Sequence, residues 1–203
     1  VSGETKQMSI RELCRTRVFW LLMVMMVCAG ASEQAMSQWA STFAEKALHI
    51  TKTMGDLAGP CAFAVFMGTA RALYGKFEAR IPLKGFMLAS SVMCIGCYLL
   101  AALCELPVLA LVGCALCGFS VGIFWPGTFS TGAAAIRTGG TAMFALFALA
   151  GDLGCSAGPG LVGAVAELAG GRLQAGLLAA LVFPILLLGG LLVLKKQRRS
   201  ALS

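Results

Sequence analysis

The chain has 203 residues, of which 59% are hydrophobic and only 12% are charged, and its mean hydropathy is +0.86. The charged share is about half that of ordinary soluble domains, so too little polar surface is available to cover a water-exposed protein. This composition excludes a soluble globular domain and predicts a membrane protein with several helical spans. The net charge of +7 does not indicate nucleic acid as a partner, because the basic residues lie at the ends of apolar segments, where they contact the surface of the lipid bilayer.

The first 17 residues are polar and contain no apolar segment of the signal-peptide kind. We interpret 1–17 as a cytoplasmic linker, 18–194 as a membrane bundle of six helices, and 195–203 as a basic cytoplasmic tail. The start at Val1 suggests a fragment of a longer protein.

Six apolar segments, separated by short connections, are each long enough to cross a hydrocarbon core of about 30 Å. The predicted spans are 18–43, 54–74, 83–104, 107–130, 140–167 and 173–194. Most of the 16 Lys and Arg residues lie on the side of the termini and the 76–84 loop, whereas Lys46, Lys52 and Arg172 lie on the other. By the positive-inside rule, both termini are predicted to be cytoplasmic, in a multi-pass protein of the plasma or inner membrane.

The first span becomes polar after Ala31 while remaining helical. At about 100° per residue, six positions share an arc of about 140°, and we call them the polar stripe: Gly30, Glu33, Gln34, Ser37, Gln38 and Ser41. Polar groups in a span must face other protein or a water-filled cavity. Together with Asp152 near the middle of the fifth span, they predict a solute or proton pathway lined by Glu33, Gln34, Ser37, Gln38, Trp39 and Asp152. The alternative role of these groups is to lock helices together by hydrogen bonds.

The third and sixth spans carry no charge in their interiors and are expected to face lipid. The recurrence of an uncharged span at every third position predicts two three-helix repeats of opposite orientation, which is the architecture of many secondary transporters. Two echoes support the repeat: residues 39–43 (Trp-Ala-Ser-Thr-Phe) resemble 125–129 (Trp-Pro-Gly-Thr-Phe), and residues 55–60 resemble 151–159 around a shared Gly-Asp-Leu. We interpret Trp125 itself as an interfacial residue.

Helix packing is predicted where small residues recur four apart, because they let two backbones approach closely. The candidates are Gly118, Gly122, Gly154, Gly158 and Pro159. Cys94-x-x-Cys97 and Cys114-x-x-Cys117 have a zinc-ribbon spacing, but thiolates and a dication inside apolar spans would be costly. We therefore predict four small packing residues and no metal. His49 is expected to be a solvated residue of an external loop.

Three patches resemble a known family. Residues 68–76 resemble its loop motif Gly-x-x-x-Asp-Arg-x-Gly-Arg/Lys at Gly68, Gly75 and Lys76, with Arg71 between them, although Ala72 and Leu73 replace the acidic residue and its basic partner. Residues 154–163 are similar to its Gly-Pro-rich helix signature. Residues 30–60 look like its bacterial fucose-permease-like branch. The family is the major facilitator superfamily, and the resemblance is to its C-terminal half, spans seven to twelve.

The resemblance implies an all-α membrane bundle that forms one half of a twelve-helix transporter, with the missing N-terminal six-helix half as its partner. We expect a secondary active transporter, a proton-coupled symporter of a small solute such as a sugar, that works by alternating access and uses no cofactor. The alternatives are a solute/proton antiporter, a six-span scaffold and a membrane-embedded enzyme. An enzyme is not expected, because no catalytic constellation is visible in the sequence.

Overall fold

The computed structural model describes residues 7–200, without the side chains of residues 43, 46–48 and 197–200. In this part of the chain the backbone forms ten helices. They are α1 (Ile10–Cys14), α2 (Arg17–Ser37), α3 (Ala40–Leu48), α4 (Lys52–Phe77), α5 (Leu83–Leu103), α6 (Pro107–Val121), α7 (Phe124–Ala135), α8 (Gly140–Leu168), α9 (Leu173–Ala180) and α10 (Val182–Ser200).

Six helical stretches of the described residues are long and apolar enough to cross a membrane. They are Arg17–Thr42, Lys52–Phe77, Leu83–Leu103, Pro107–Ala135, Gly140–Leu168 and Leu173–Lys196. The six predicted spans and the all-helical fold class are confirmed. The largest difference is in the fourth span, which continues five residues beyond the predicted end to Ala135.

Three of the spans are interrupted. The fourth breaks between α6 and α7, and the sixth between α9 and α10. Pro126 and Pro184 lie in the first turn of the helices that restart there, where a residue without an N–H is tolerated. The first span breaks at Gln38 and Trp39 without a proline. By contrast, Pro60 and Pro159 lie inside α4 and α8, which continue through them.

The most extensive helix contact joins α2 of the first span to α8 of the fifth. Glycines make this approach possible, since a Cβ at Gly154 or Gly158 would collide with the carbonyls of Val27 and Ala31. From the other side, a Cβ at Gly30 would collide with the carbonyl of Gly151. The two backbones therefore touch over several turns. Gly30, a member of the predicted polar stripe, is a packing residue and does not face an open pathway.

A second glycine contact joins α4 to α6. A Cβ at Gly118 would collide with the carbonyl of Phe63, and one at Gly122 would lie 2.8 Å from the carbonyl oxygen of Met67. This approach places the carboxyl end of α6 directly against residues 63–70 of α4.

The second span is the least covered by the rest of the bundle. Only 17% of its most apolar window is buried, against 44% for the third span and 39% for the sixth. The prediction that the third and sixth spans face lipid applies to their exposed faces, because each of them also has a buried face. In α5, Leu99 and Val92 are exposed, whereas Met87, Cys94 and Tyr98 are fully buried.

Part of the predicted N-terminal linker packs against the bundle. Ser9 and Glu12 form a capping box that starts α1, and Leu13 is fully buried. The N–H of Met8 donates to the carbonyl of Thr138 at 2.8 Å, and the indole of Trp20 donates to the carbonyl of Cys14 at 2.8 Å. These contacts hold residues 8–14 against the start of α2 and the turn before α8.

Candidate functional site

Glu33 lies near the carboxyl end of α2, and its side chain is half-buried. The Oε2 atom is buried and has no hydrogen-bond partner among the described residues. The positive charge of Arg71 on α4 acts on this carboxylate over a distance longer than an ion pair. An unpaired carboxylate oxygen inside a membrane span is costly, so Glu33 needs a proton, a water or a ligand at this position.

Asp152 lies on the exposed side of α8, one turn before Cys155. A Cβ at Gly30 would lie 3.0 Å from Cys155 Sγ, so Cys155 packs against α2 three residues before Glu33. In the described part of the chain, the carboxylate of Asp152 takes no hydrogen bond, and only its main-chain carbonyl accepts one, from Ser156 Oγ at 3.3 Å. The packing of α2 on α8 thus places these two acids, which are far apart in sequence, on neighbouring helices.

Trp125 of α7 lies next to the segment of α8 that carries Asp152. It is not among the site residues that the sequence predicts. Its ring covers Gly151, the residue before Asp152, so that any side chain at Gly151 would collide with the indole. The indole Nε1 is buried without a hydrogen-bond acceptor in residues 7–200, and the same is true of Trp39 Nε1. The ring of Trp125 packs between α7 and α8, which differs from the interfacial position interpreted from the sequence. The echo between 39–43 and 125–129 is the signal that could have found it.

The polar stripe does not stay on one face. Gln34 and Ser37 are half-buried and Gln38 is exposed, but the turn at Gln38 and Trp39 interrupts the regular helical rotation before Ser41. The hydroxyl of Ser41 therefore faces α4, where it donates to Asp56 Oδ1, and it contacts Glu45 Oε1 at 3.4 Å. Ser41 links α3 to α4 and does not face the region around Glu33.

The resemblance places residues 68–76 in a loop, and this placement is wrong. They form the last turns of α4, and the connection to α5 consists of residues 78–82. A Cβ added at Gly68 or Gly75 would meet no other atom within 4 Å, and the ammonium of Lys76 lies 5.7 Å from the ring centroid of Phe77. The helix extends because the positions of the acid and its basic partner are Ala72 and Leu73, two good helix formers.

Arg71 has a specific partner. Its Nε donates to the carbonyl oxygen of Gly122 at 2.9 Å. In a continuous helix that carbonyl would accept from the residue four positions later, which is Pro126 and has no N–H. The side chain of Arg71 replaces the missing donor and fixes the guanidinium beside the break in the fourth span.

The four cysteines of the Cys-x-x-Cys pairs lie together between α5 and α6. All four are buried and free, and Cys94 Sγ and Cys117 Sγ are 3.9 Å apart. No group of three or more metal-ligating side chains suited to an ion occurs among the described residues. Beside this cluster, the buried Tyr98 donates its hydroxyl to the carbonyl of Ser32 at 2.7 Å.

Six apolar helices joined by short connections define a multi-pass membrane protein. The family model described as Major Facilitator Superfamily matches residues 2–159. The chain therefore belongs to the major facilitator superfamily, whose members are secondary transporters of small solutes. No curated protein and no solved structure matches it.

Proposed function

We propose that this chain forms one wall of the solute pathway in a proton-coupled symporter, which works by alternating access. The observation that carries the proposal is the carboxylate of Glu33, whose buried Oε2 has no hydrogen-bond partner among the described residues. It lies where α2 meets α8 and within the field of Arg71 on α4. Glu33, Gln34, Ser37, Gln38, Trp39 and Asp152 are the proposed pathway residues.

Energetics favour a proton as the coupling ion. An ionised acid at the centre of a span costs about 2.5–3.5 kcal/mol on insertion scales. A glutamine would keep the shape and most of the hydrogen bonding of Glu33 without that cost. An acid is useful at this position if it alternates between a charged and a neutral form, as a proton carrier must. The same cycle run in reverse would serve a solute/proton antiporter, which is the second candidate.

The exposed surface of the second and fifth spans supports a partner half. Large apolar side chains such as Leu57, Val65, Leu149 and Leu153 are more than half exposed there. We propose that a second bundle of six helices covers this surface and closes the pathway. The basic residues at both ends of the chain favour cytoplasmic termini by the positive-inside rule.

A sugar-like solute is proposed from the resemblance to the fucose-permease-like branch. Glu33 can accept from hydroxyl hydrogens, and the indole N–H groups of Trp39 and Trp125, which are buried without an acceptor among the described residues, can donate to hydroxyl oxygens once alternating access uncovers them. Indole faces also supply the apolar surface that stacks on the C–H groups of a sugar ring.

The test uses the full-length protein in proteoliposomes, with a panel of radiolabelled sugars and sugar acids to identify a transported solute. Glu33→Gln should abolish accumulation driven by a pH gradient but preserve solute counterflow, which needs no net proton movement. Glu105→Gln is the matched control, because Glu105 is an exposed acid in the connection between α5 and α6. Accumulation at the wild-type level in Glu33→Gln would remove Glu33 from the coupling mechanism.

A further inference from the structure

A cavity of about 170 Å³ opens beside the break in the fourth span, between the last turns of α4, the start of α5 and the first turns of α7. Its lining includes Arg71, Tyr74, Leu83, Ile123, Pro126 and Ser130. Arg71, Pro126 and Ser130 are exposed, so the cavity opens on the surface of this six-helix bundle. It lies toward the end of the bundle that carries the α4–α5 connection.

Arg71 lines this cavity with a positively charged guanidinium, some of whose N–H groups have no strong hydrogen-bond acceptor. Its Nε is used by the carbonyl of Gly122, and Nη2 meets only the weak acceptor Met67 Sδ at 3.7 Å. A guanidinium has five N–H donors in a rigid fork that matches the two oxygens of a carboxylate. No carboxylate of the described residues lies within ion-pair distance of Arg71. The hydrogen bond to Gly122 fixes the guanidinium, so little side-chain freedom is lost when an anion binds.

The remaining walls are apolar and held in place. Tyr74 stacks on Phe86 with ring centroids 5.3 Å apart, and Phe86 packs edge-on against Phe119 at 6.4 Å. Leu83, Ile123 and Pro126 supply aliphatic surface, and Ser130 adds one hydroxyl. A ligand that fits this lining has an anionic end for Arg71 and a small apolar body.

We propose that this cavity binds a small monocarboxylate, with its carboxylate on the free N–H groups of Arg71 and its apolar part against Leu83, Ile123 and Pro126. Charge favours a monoanion, because Arg71 is the one charged group among the described lining residues and a dianion would leave an unpaired charge against apolar walls. The volume favours a compact acid over a long acyl chain.

Glu33 connects this site to the rest of the bundle. Its carboxylate interacts with Arg71 at a distance but forms no ion pair with it in the structure. An ionised Glu33 and a bound carboxylate repel each other, since both are negative and both are attracted to the guanidinium of Arg71. A neutral residue at position 33 removes this repulsion. Monocarboxylate binding and neutralisation of Glu33 therefore favour each other. This site is independent of the proposed transport function, and the experiment that tests it measures benzoate binding alone.

The experiment measures binding of benzoate to the full-length protein in phosphatidylcholine nanodiscs by calorimetry, with neutral benzamide as the isostere. Benzoate should bind saturably and at least about tenfold more tightly than benzamide, since its hydrogen bonds to Arg71 are charge-assisted. Arg71→Gln should reduce benzoate affinity to that of benzamide. Arg71→Lys should recover only part of the loss, because an ammonium lacks the planar fork. Glu33→Gln should tighten benzoate binding.

Arg80→Gln is the matched control, because Arg80 is an exposed arginine in the α4–α5 connection outside the cavity, and its benzoate affinity should equal that of the wild type. Ser130→Phe guards against misfolding of the Arg71 variants, since it fills the cavity while the bond from Arg71 to Gly122 is kept. It should block benzoate. Benzoate affinity that is unchanged in both Arg71→Gln and Ser130→Phe, or equal affinities for benzoate and benzamide in the wild type, would overturn the proposal.

Discussion

The hydroxyl of Tyr98 donates to the main-chain carbonyl of Ser32 at 2.7 Å, in a part of the bundle where both residues are fully buried. This bond joins the third span to the first, one residue before Glu33. It sets the rotation and height of the segment that carries the unpaired carboxylate. The third span therefore does more than face lipid, because it positions the proposed proton site.

Tyr98→Phe is expected to lower the stability of the protein by about 1 kcal/mol, the typical net worth of a buried hydrogen bond between membrane helices. The measurement is thermal unfolding of the purified protein in detergent. Tyr74→Phe is the matched control, because the Tyr74 hydroxyl forms no hydrogen bond with the described residues. Equal unfolding temperatures for the two variants would contradict the role of the Tyr98 bond.

Gly154→Ala and Gly158→Ala are each expected to destabilise the bundle by about 1–3 kcal/mol, because the added methyl groups collide with the carbonyls of Val27 and Ala31. Gly160 and Gly163 lie on the same helix and have open space around a Cβ. Alanine at those two positions should be neutral or slightly stabilising. Unfolding in detergent distinguishes the pairs, and a similar loss at all four glycines would contradict the close-packing account, because helix propensity alone favours alanine over glycine.

Arg71→Gln and Pro126→Ala should not act additively. Arg71→Gln removes the donor to the carbonyl of Gly122 and is expected to cost about 1–2 kcal/mol. Pro126→Ala restores a main-chain N–H four residues after Gly122, so the loss should be smaller in the Pro126→Ala background. A double-mutant cycle on unfolding free energy checks this coupling. Strict additivity would show that the hydrogen bond does not stabilise the break in the fourth span.

Leu99→Gln and Leu181→Gln are expected to leave solute affinity nearly unchanged. Leu99 is exposed on α5 and Leu181 is half-buried at the break of the sixth span, and neither contributes to the region around Glu33 and Asp152. A small loss of expression is expected, since an amide in contact with lipid is unfavourable. Equilibrium binding of the transported solute is the measurement, and a large drop in affinity in both variants would place these faces in the pathway.

The parts of the fold that depend on apolar length can be predicted from the sequence. The six spans follow from apolar length, and the packing glycines follow from their spacing of four. The break at Gln38 and Trp39 cannot be predicted, because no proline or glycine marks it, and it moves Ser41 away from Glu33. The bond from Arg71 to Gly122 depends on the close approach of α4 and α6 and has no local signal. Analogy with the family's loop motif therefore misplaces residues 68–76, where the chain continues as a helix.

The most direct test of the central claim is solute-dependent proton movement in proteoliposomes that contain the full-length protein and a pH-sensitive dye. With no imposed gradient, adding the transported solute outside should bring protons into the vesicles with the wild-type protein and with Glu105→Gln. Glu33→Gln should exchange solute in counterflow while no protons move. Solute-driven proton uptake at the wild-type rate in Glu33→Gln would contradict the proposal that this carboxylate carries the coupled proton.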